Sequence, residues 1–309
     1  MNKETGLFKG VYPADVAGGV GSSCAGAGIR PVFASIVGSR LHGVASKKSD
    51  WDVRVVYVHG SIKDYFSINE KPTSMKPQAC AIAGDAVTDI MALEFEKFVH
   101  LLMHSSPNAL EQVYSHMQLG AYTMDGAAKV LKDVADAFLD PVSLSYGFLG
   151  FINSCRSSLV RGAYQSGRNY YTRNARKKLF HMQRLYAMEM YVHNKAADGV
   201  VEFPPIVCSE CMAAVGDPFS DVGLALVGNP TADELDEMLR VVDETCIPNA
   251  ERMAAEVKTM EVARRSRAMF DMEPVERLYH DAAHGLLGYG GERDELKVWL
   301  HSVVERSVE

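Results

Sequence analysis

No run in this chain approaches the roughly 18 consecutive apolar residues that a membrane-crossing helix needs. Its opening, MNKETGLFKG, carries no apolar stretch of the secretory-signal kind. These two absences set the expectation of a cytoplasmic protein with no membrane partner. Cysteine is sparse as well: six in 309 residues are too few for a disulfide scaffold. Cys208 and Cys211 alone stand in CxxC spacing, and no second pair or nearby histidine completes a zinc set. All six are therefore expected to be reduced thiols. An excess of positive charge is also missing, and a net charge of −7 argues against nonspecific nucleic-acid binding by the whole surface. What remains is 47% hydrophobic and 23% charged, a globular composition long enough for one large domain or two ordinary ones.

The charge is distributed unevenly. Between Ser154 and Lys195 stand nine Lys or Arg against one acid, Glu189. A single basic island on an acidic protein points to a localised anion site.

Pro31 to Val37 reads as a buried strand and Trp51 to Val58 as a second, rich in β-branched and aromatic residues. A third extended stretch covers Ala86 to Met91. Leu93 to His104 follows, with Phe95, Phe98, Val99 and Leu102 forming a helical stripe. Ser105-Ser106-Pro107 punctuates it and caps the next helix. From about residue 143 the pattern is mostly helical, with Thr231 to Glu234 a capping box. The first 30 residues contain GGVGSSCAGAG, which reads as a flexible linker. It is no P-loop, since no Gly-Lys-Ser/Thr ends it. There is no internal repeat. The expected organisation is α+β: a flexible segment over 1–30, a mixed-sheet domain over 31–142 and an α-helical domain over 143–309.

The most informative stretch is GSRLHGVASKKSDWD, residues 38–52. Side chains alternate along a strand, so Asp50, Asp52 and Arg54 face one way while Trp51, Val53 and Val55 face the other. Two carboxylates within about 7 Å on one strand face repel unless a cation lies between them. Hard cations such as Mg²⁺ prefer carboxylate oxygens. A polar strand face meeting water is the plain alternative. The preceding Gly38-Ser39 turn favours the first reading, because glycine lets backbone approach a ligand closely. If Arg40 to Val44 begins a helix, its free N–H groups favour an anion such as phosphate. Arg54 shares the aspartate face, and pairing with Asp52 and contacting substrate both stand as its role.

Gly-Ser, ten residues, then Asp-Trp-Asp resembles the signature of the DNA polymerase β-type nucleotidyltransferases. With DIMALEFEKFVHLLMHSSPNALEQV and the helical KKLFHMQRLYAMEMYVHNK, the chain is similar to the nucleotidyltransferases of the RNA-repair-pathway DNA polymerase β family of bacteria and large phages. The resemblance covers Pro31 to Lys195, and more weakly extends to Lys258. It implies a mixed-sheet catalytic domain with a helical C-terminal region. It also implies that Gly38 and Ser39 hold the β/γ-phosphates of an NTP substrate, and that Asp50 and Asp52 ligate one or two Mg²⁺ ions, with Mn²⁺ as a substitute. A third carboxylate comes from a later strand; Asp89 is the choice, with Glu94 the rival where the helix begins. Two metals could then activate an acceptor hydroxyl and neutralise the leaving pyrophosphate.

Lys177, His181 and Arg184 lie at i, i+4 and i+7 on one helix face and are assigned to nucleotide binding. Tyr164, Tyr170 and Tyr171 could stack on a base or serve packing. His280 and His284 share i, i+4 spacing, but HDAAH offers no third ligand. MEVARRSRAMF, from Met260, reads as a solvated basic face. The acceptor is open among an RNA 3′ end, a protein side chain and a second nucleotide; the basic island favours RNA. A binding module that kept the fold and lost turnover is the alternative. The oligomeric state is not legible.

Overall fold

A computed structural model describes residues 14–45, 49–60, 73–75, 80–81, 87–166, 168–216, 232–260 and 270–287. The fold is α+β. Its five-stranded sheet runs β1 (Ile29–Val37), β2 (Trp51–His59), β5 (Val87–Glu94) and β3 (Ser74–Met75) in spatial order, with β4 (Cys80–Ala81) also pairing β5. β1 and β2 are antiparallel, β2 and β5 parallel. The central strands are Val- and Ile-rich because both faces of their C-terminal halves are covered: Val55 through Val58 are all fully buried.

Helix Phe95–Met103 follows β5 and buries Phe95, Phe98, Val99 and Leu102, the stripe read from the sequence. Glu94 ends the strand, and its Oε2 accepts from the backbone N–H of Lys97 at 3.1 Å. It thus caps the helix from the N-cap position. Ser105 is buried at a φ of 52° and its Oγ accepts from the Asp140 backbone N–H at 2.8 Å.

The described chain divides into two units. One holds the sheet, residues up to Met103, Asn108–Phe138 and the C-terminal helix Glu273–Leu287; the other holds His104–Pro107 and the helices from Leu139 onward. In the second unit the long helices Pro141–Ser166 and Arg168–Ala197 pack along each other, and Ile247–Thr259 lies against both. A π-helical turn, Val242–Cys246, precedes Pro248. A proline ring crowds the carbonyl four residues earlier and removes a donor, which widens the turn.

Two expectations are corrected here. The glycine-rich N-terminal stretch is no linker: Ala14–Gly26 is a helix with Val16, Val20 and Cys24 buried at i, i+4 and i+8. Gly21 allows a close approach, since a Cβ there would collide with the Tyr122 hydroxyl. Nor does the C-terminal region form one helical domain. Tyr279 packs on Phe95 with ring centroids 5.4 Å apart and donates to Glu96 Oε1 at 3.0 Å, joining the last described helix to the sheet unit.

Candidate active site

β1 ends at Val37, which pairs with Asp52 across the antiparallel ladder. The chain then enters a single helical turn, Gly38–Leu41, two residues earlier than the Arg40 start read from the sequence. Gly38 has a φ of +70°, and a Cβ there would collide with Asp52 Oδ2. Glycine is therefore required twice over, by the backbone conformation and by the carboxylate packed against it. The Gly-Ser turn and the strand aspartate form one contact.

The parallel ladder places one of the two candidate acids beside Asp52. In the β2–β5 register Asp52 lies opposite Asp89, and Arg54 opposite Met91. Opposed residues of a parallel pair share a face, so Asp89 joins Asp52, while Asp50 stands just before the strand. Glu94 lies opposite Tyr57, on the other face, and is buried. The aspartate face is open: Asp50 and Asp89 are exposed, Asp52 is half-buried, and Met91 beside them is 38% exposed.

Every donor in this set is a carboxylate oxygen, the ligand type of hard divalent cations. Among the described residues no three His, Cys, Asp or Glu side chains are gathered into a metal-holding cluster. Asp52 and Asp89 fit such a cation by donor type and by register, Asp50 by donor type alone. Closing the set means turning the exposed Asp50 and Asp89 side chains toward Asp52.

Several polar residues that the sequence reading passed over brace this arrangement. Arg54 donates from Nη1 to the Asn108 carbonyl at 2.8 Å and from Nη2 to Asn108 Oδ1 at 3.2 Å. Gln112 Nε2 donates to the Arg54 carbonyl at 3.3 Å. Buried His42, directly after the helical turn, has Nε2 3.5 Å from Oε2 of buried Glu111. Asn108, Glu111 and Gln112 share one face of helix Pro107–Val113 at i, i+3 and i+4. That polar face within an apolar helix was the signal available in the sequence.

Arg40 was passed over too. Its Nε donates to the Asp50 carbonyl at 3.1 Å and its Nη2 to the Ser49 carbonyl at 2.5 Å. Its guanidinium carbon lies 3.8 Å from the Trp51 ring centroid, a cation–π contact. Burial lowers its pKa below the usual arginine value, against the pull of the Asp52 and Asp50 charges.

Lys177, His181 and Arg184 do share helix Arg168–Ala197, in the helical unit. They form no open row. Lys177 is exposed, His181 half-buried, and Arg184 is 2% exposed. Arg184 donates to Met188 Sδ at 3.2 Å and lies 3.4 Å from His181 Nδ1. The side chains of Tyr164, Tyr170, Tyr171 and His284 lie outside the described residues, as do Thr231 and residues 261–269 of the short basic run. Cys24, Cys155, Cys208, Cys211 and Cys246 form no disulfide; burial pushes Cys211 up to about 12, and Cys24 and Cys246 up to about 11. Such thiols are inert near neutral pH. No helix among the described residues is long and apolar enough to cross a membrane.

A family model described as "RNA repair pathway DNA polymerase beta family" matches residues 22–218, more than half of the chain. Among solved structures the chain is similar to a nucleotidyltransferase-like protein from Exiguobacterium sibiricum. The two are 12% identical over 96% of this chain and 90% of that one, with a TM-score of 0.31. A comparison with curated proteins gives no match.

Proposed function

The chain belongs to the RNA repair pathway DNA polymerase beta family, and from that premise we propose that it is a Mg²⁺-dependent nucleotidyltransferase. It moves an NMP from an NTP to a hydroxyl acceptor, and an RNA 3′ end is the acceptor we favour. The observation that carries this reading is the adjacency of Asp52 and Asp89 in the β2–β5 register, with Gly38 packed against Asp52.

In this reading Asp50, Asp52 and Asp89 present anionic oxygens toward one point on the open sheet face. Bound there, Mg²⁺, or Mn²⁺ in its place, would screen the transferring phosphoryl group and the leaving pyrophosphate. Ser39 donates its hydroxyl and the turn its backbone N–H groups to phosphate oxygens, and the bare Gly38 lets those oxygens come close to Asp52. Asp89 orients the acceptor hydroxyl and takes up its proton. Arg54, held by Asn108, adds positive charge on the same face. Lys177 and His181 are retained as nucleotide contacts, while the burial of Arg184 suits it to holding their helix in place. Nucleotidyl transfer asks mainly for positioning and electrostatic stabilisation, and this set is built from those two elements.

The test is pyrophosphate release from each NTP with Mg²⁺ and a mixed RNA acceptor, comparing wild type with the Asp50→Ala/Asp52→Ala double variant. Release by the wild type alone, with label on RNA, is expected. Label on protein would replace the acceptor. Absence of both release and calorimetric Mg²⁺–NTP binding would refute the reading.

A further inference from the structure

Asp52 and Asp50 are held by different means. The β1–β2 ladder ends with Val37 opposite Asp52, and the β2–β5 ladder ends with Trp51 opposite Thr88. Asp52 is therefore ladder-paired on both sides. Asp50 precedes the strand and lies beyond both ladders, so neither neighbouring strand sets its backbone. An exposed residue just outside a strand is ordinarily free to fray.

One side chain does what the ladders leave undone. Arg40 reaches from the Gly-Ser turn to three consecutive residues: it bonds the carbonyls of Ser49 and Asp50 and lies over the ring of Trp51. The planar guanidinium supplies this fork and the stacking contact together, which an ammonium cannot do. The same group carries a positive charge close to both Asp50 and Asp52.

We propose that Arg40 is the positioning residue for Asp50: by clamping the Ser49–Trp51 backbone to the Gly-Ser turn, it sets the first carboxylate against Asp52 and so prepares the cation site. This rests on the proposed function above, in which the two aspartates bind a divalent cation. Arg40 itself touches neither the cation nor the nucleotide. It acts through geometry, with its charge secondary.

Two measurements on full-length Arg40→Lys and Arg40→Ala test it. The first is amide hydrogen exchange, which needs no cation. Exchange at residues 50–52 should quicken about tenfold or more in both variants, while residues 53–58 of β2 keep the wild-type rate. Unchanged exchange at 50–52 overturns the clamp. General acceleration across β2 overturns its locality.

The second is binding of Mn²⁺ alone, read by electron paramagnetic resonance. Wild-type binding that Asp52→Ala abolishes tests the proposed function, and its absence would sink that reading while the exchange result still judged the clamp. Against that baseline Arg40→Lys should weaken Mn²⁺ by about tenfold, in the range of other residues that orient metal ligands. Wild-type affinity in Arg40→Lys would show that charge suffices and overturn the geometric role. A double-mutant cycle completes the test. If Arg40 works through Asp50, adding Arg40→Lys to Asp50→Asn should cost less than about twofold more, whereas simple additivity would overturn the pathway.

Discussion

In the sheet unit, Asp50 and Asp89 are exposed and half-buried Asp52 is packed against a turn whose Gly38 has no side chain to displace it. In the helical unit, Glu189 is fully buried and burial raises its pKa to about 7, with neighbouring Ser145 pulling the other way. The same contrast holds for arginine. Arg40 is half-buried and bonded to backbone carbonyls beside two carboxylates, while Arg184 is sunk among Met188, His181 and the helical core. A carboxylate kept within reach of water can recruit a cation. One enclosed by helices instead takes up a proton, because a bare buried charge costs several kcal/mol.

The comparison breaks first at Asp52. Asp52→Ala should lower pyrophosphate release by about 10³-fold or more, as expected when a charge acting on the transferring group is removed. Asp89→Ala should approach that loss. Glu94→Ala, on the opposite face, should change turnover less than about threefold and cost about 1 kcal/mol of stability through the lost cap. A reversal of the last two in steady-state assays and melts would move the third carboxylate to Glu94.

Gly38→Ala comes next. The φ of +70° alone costs about 1–2 kcal/mol for a residue with a Cβ. The displaced Asp52 carboxylate should add a loss of turnover of about 10²-fold, larger than the stability change explains. Wild-type turnover in a stably folded Gly38→Ala would separate the turn from the acid.

Glu189 sharpens the other side. Its folded pKa, about 7, lies above the ordinary glutamate value, so the folded state holds the proton longer than the unfolded one. Stability should therefore fall as pH rises from about 4.5 through 7. Glu189→Gln should remove most of that slope and gain on the order of 2 kcal/mol at pH 8 in denaturant melts. An unchanged slope would mean that other groups carry it. The smallest effect belongs to Lys177→Ala, which should raise KM for the NTP about two- to fivefold with kcat little changed, as expected for an exposed phosphate contact.

Much of the sheet unit was legible because its signals are local. An apolar run named β1, β-branched and aromatic residues named β2, the 3.6-residue stripe named helix Phe95–Met103, and Gly38 with the Asp-x-Asp pair stood in plain view. The illegible parts depend on partners far along the chain. Helix Ala14–Gly26 hides three buried residues among glycines, and the one contact that favours glycine, at Gly21, comes from Tyr122, about a hundred residues away. The return of Glu273–Leu287 to the sheet unit rests on Tyr279 meeting Phe95 and Glu96. Arg40 left no side-chain pattern to find, since its hydrogen bonds go to carbonyls that every residue carries. That Asp89 shares the face of Asp52 while Glu94 lies on the other follows from a register that local sequence does not carry.

That register makes the candidate site a matter of odd and even. The β2–β5 ladder, from Trp51 opposite Thr88 to Tyr57 opposite Glu94, sets which residues of β5 face the carboxylates. A one-residue slip of β5 along β2 would turn Asp89 to the far side and draw buried Ile90 and Ala92 out of the core. A slip of two would restore the face but shift the acid along it. The register of the strand is thus a discrete variable, and the face that Asp89 takes follows its parity.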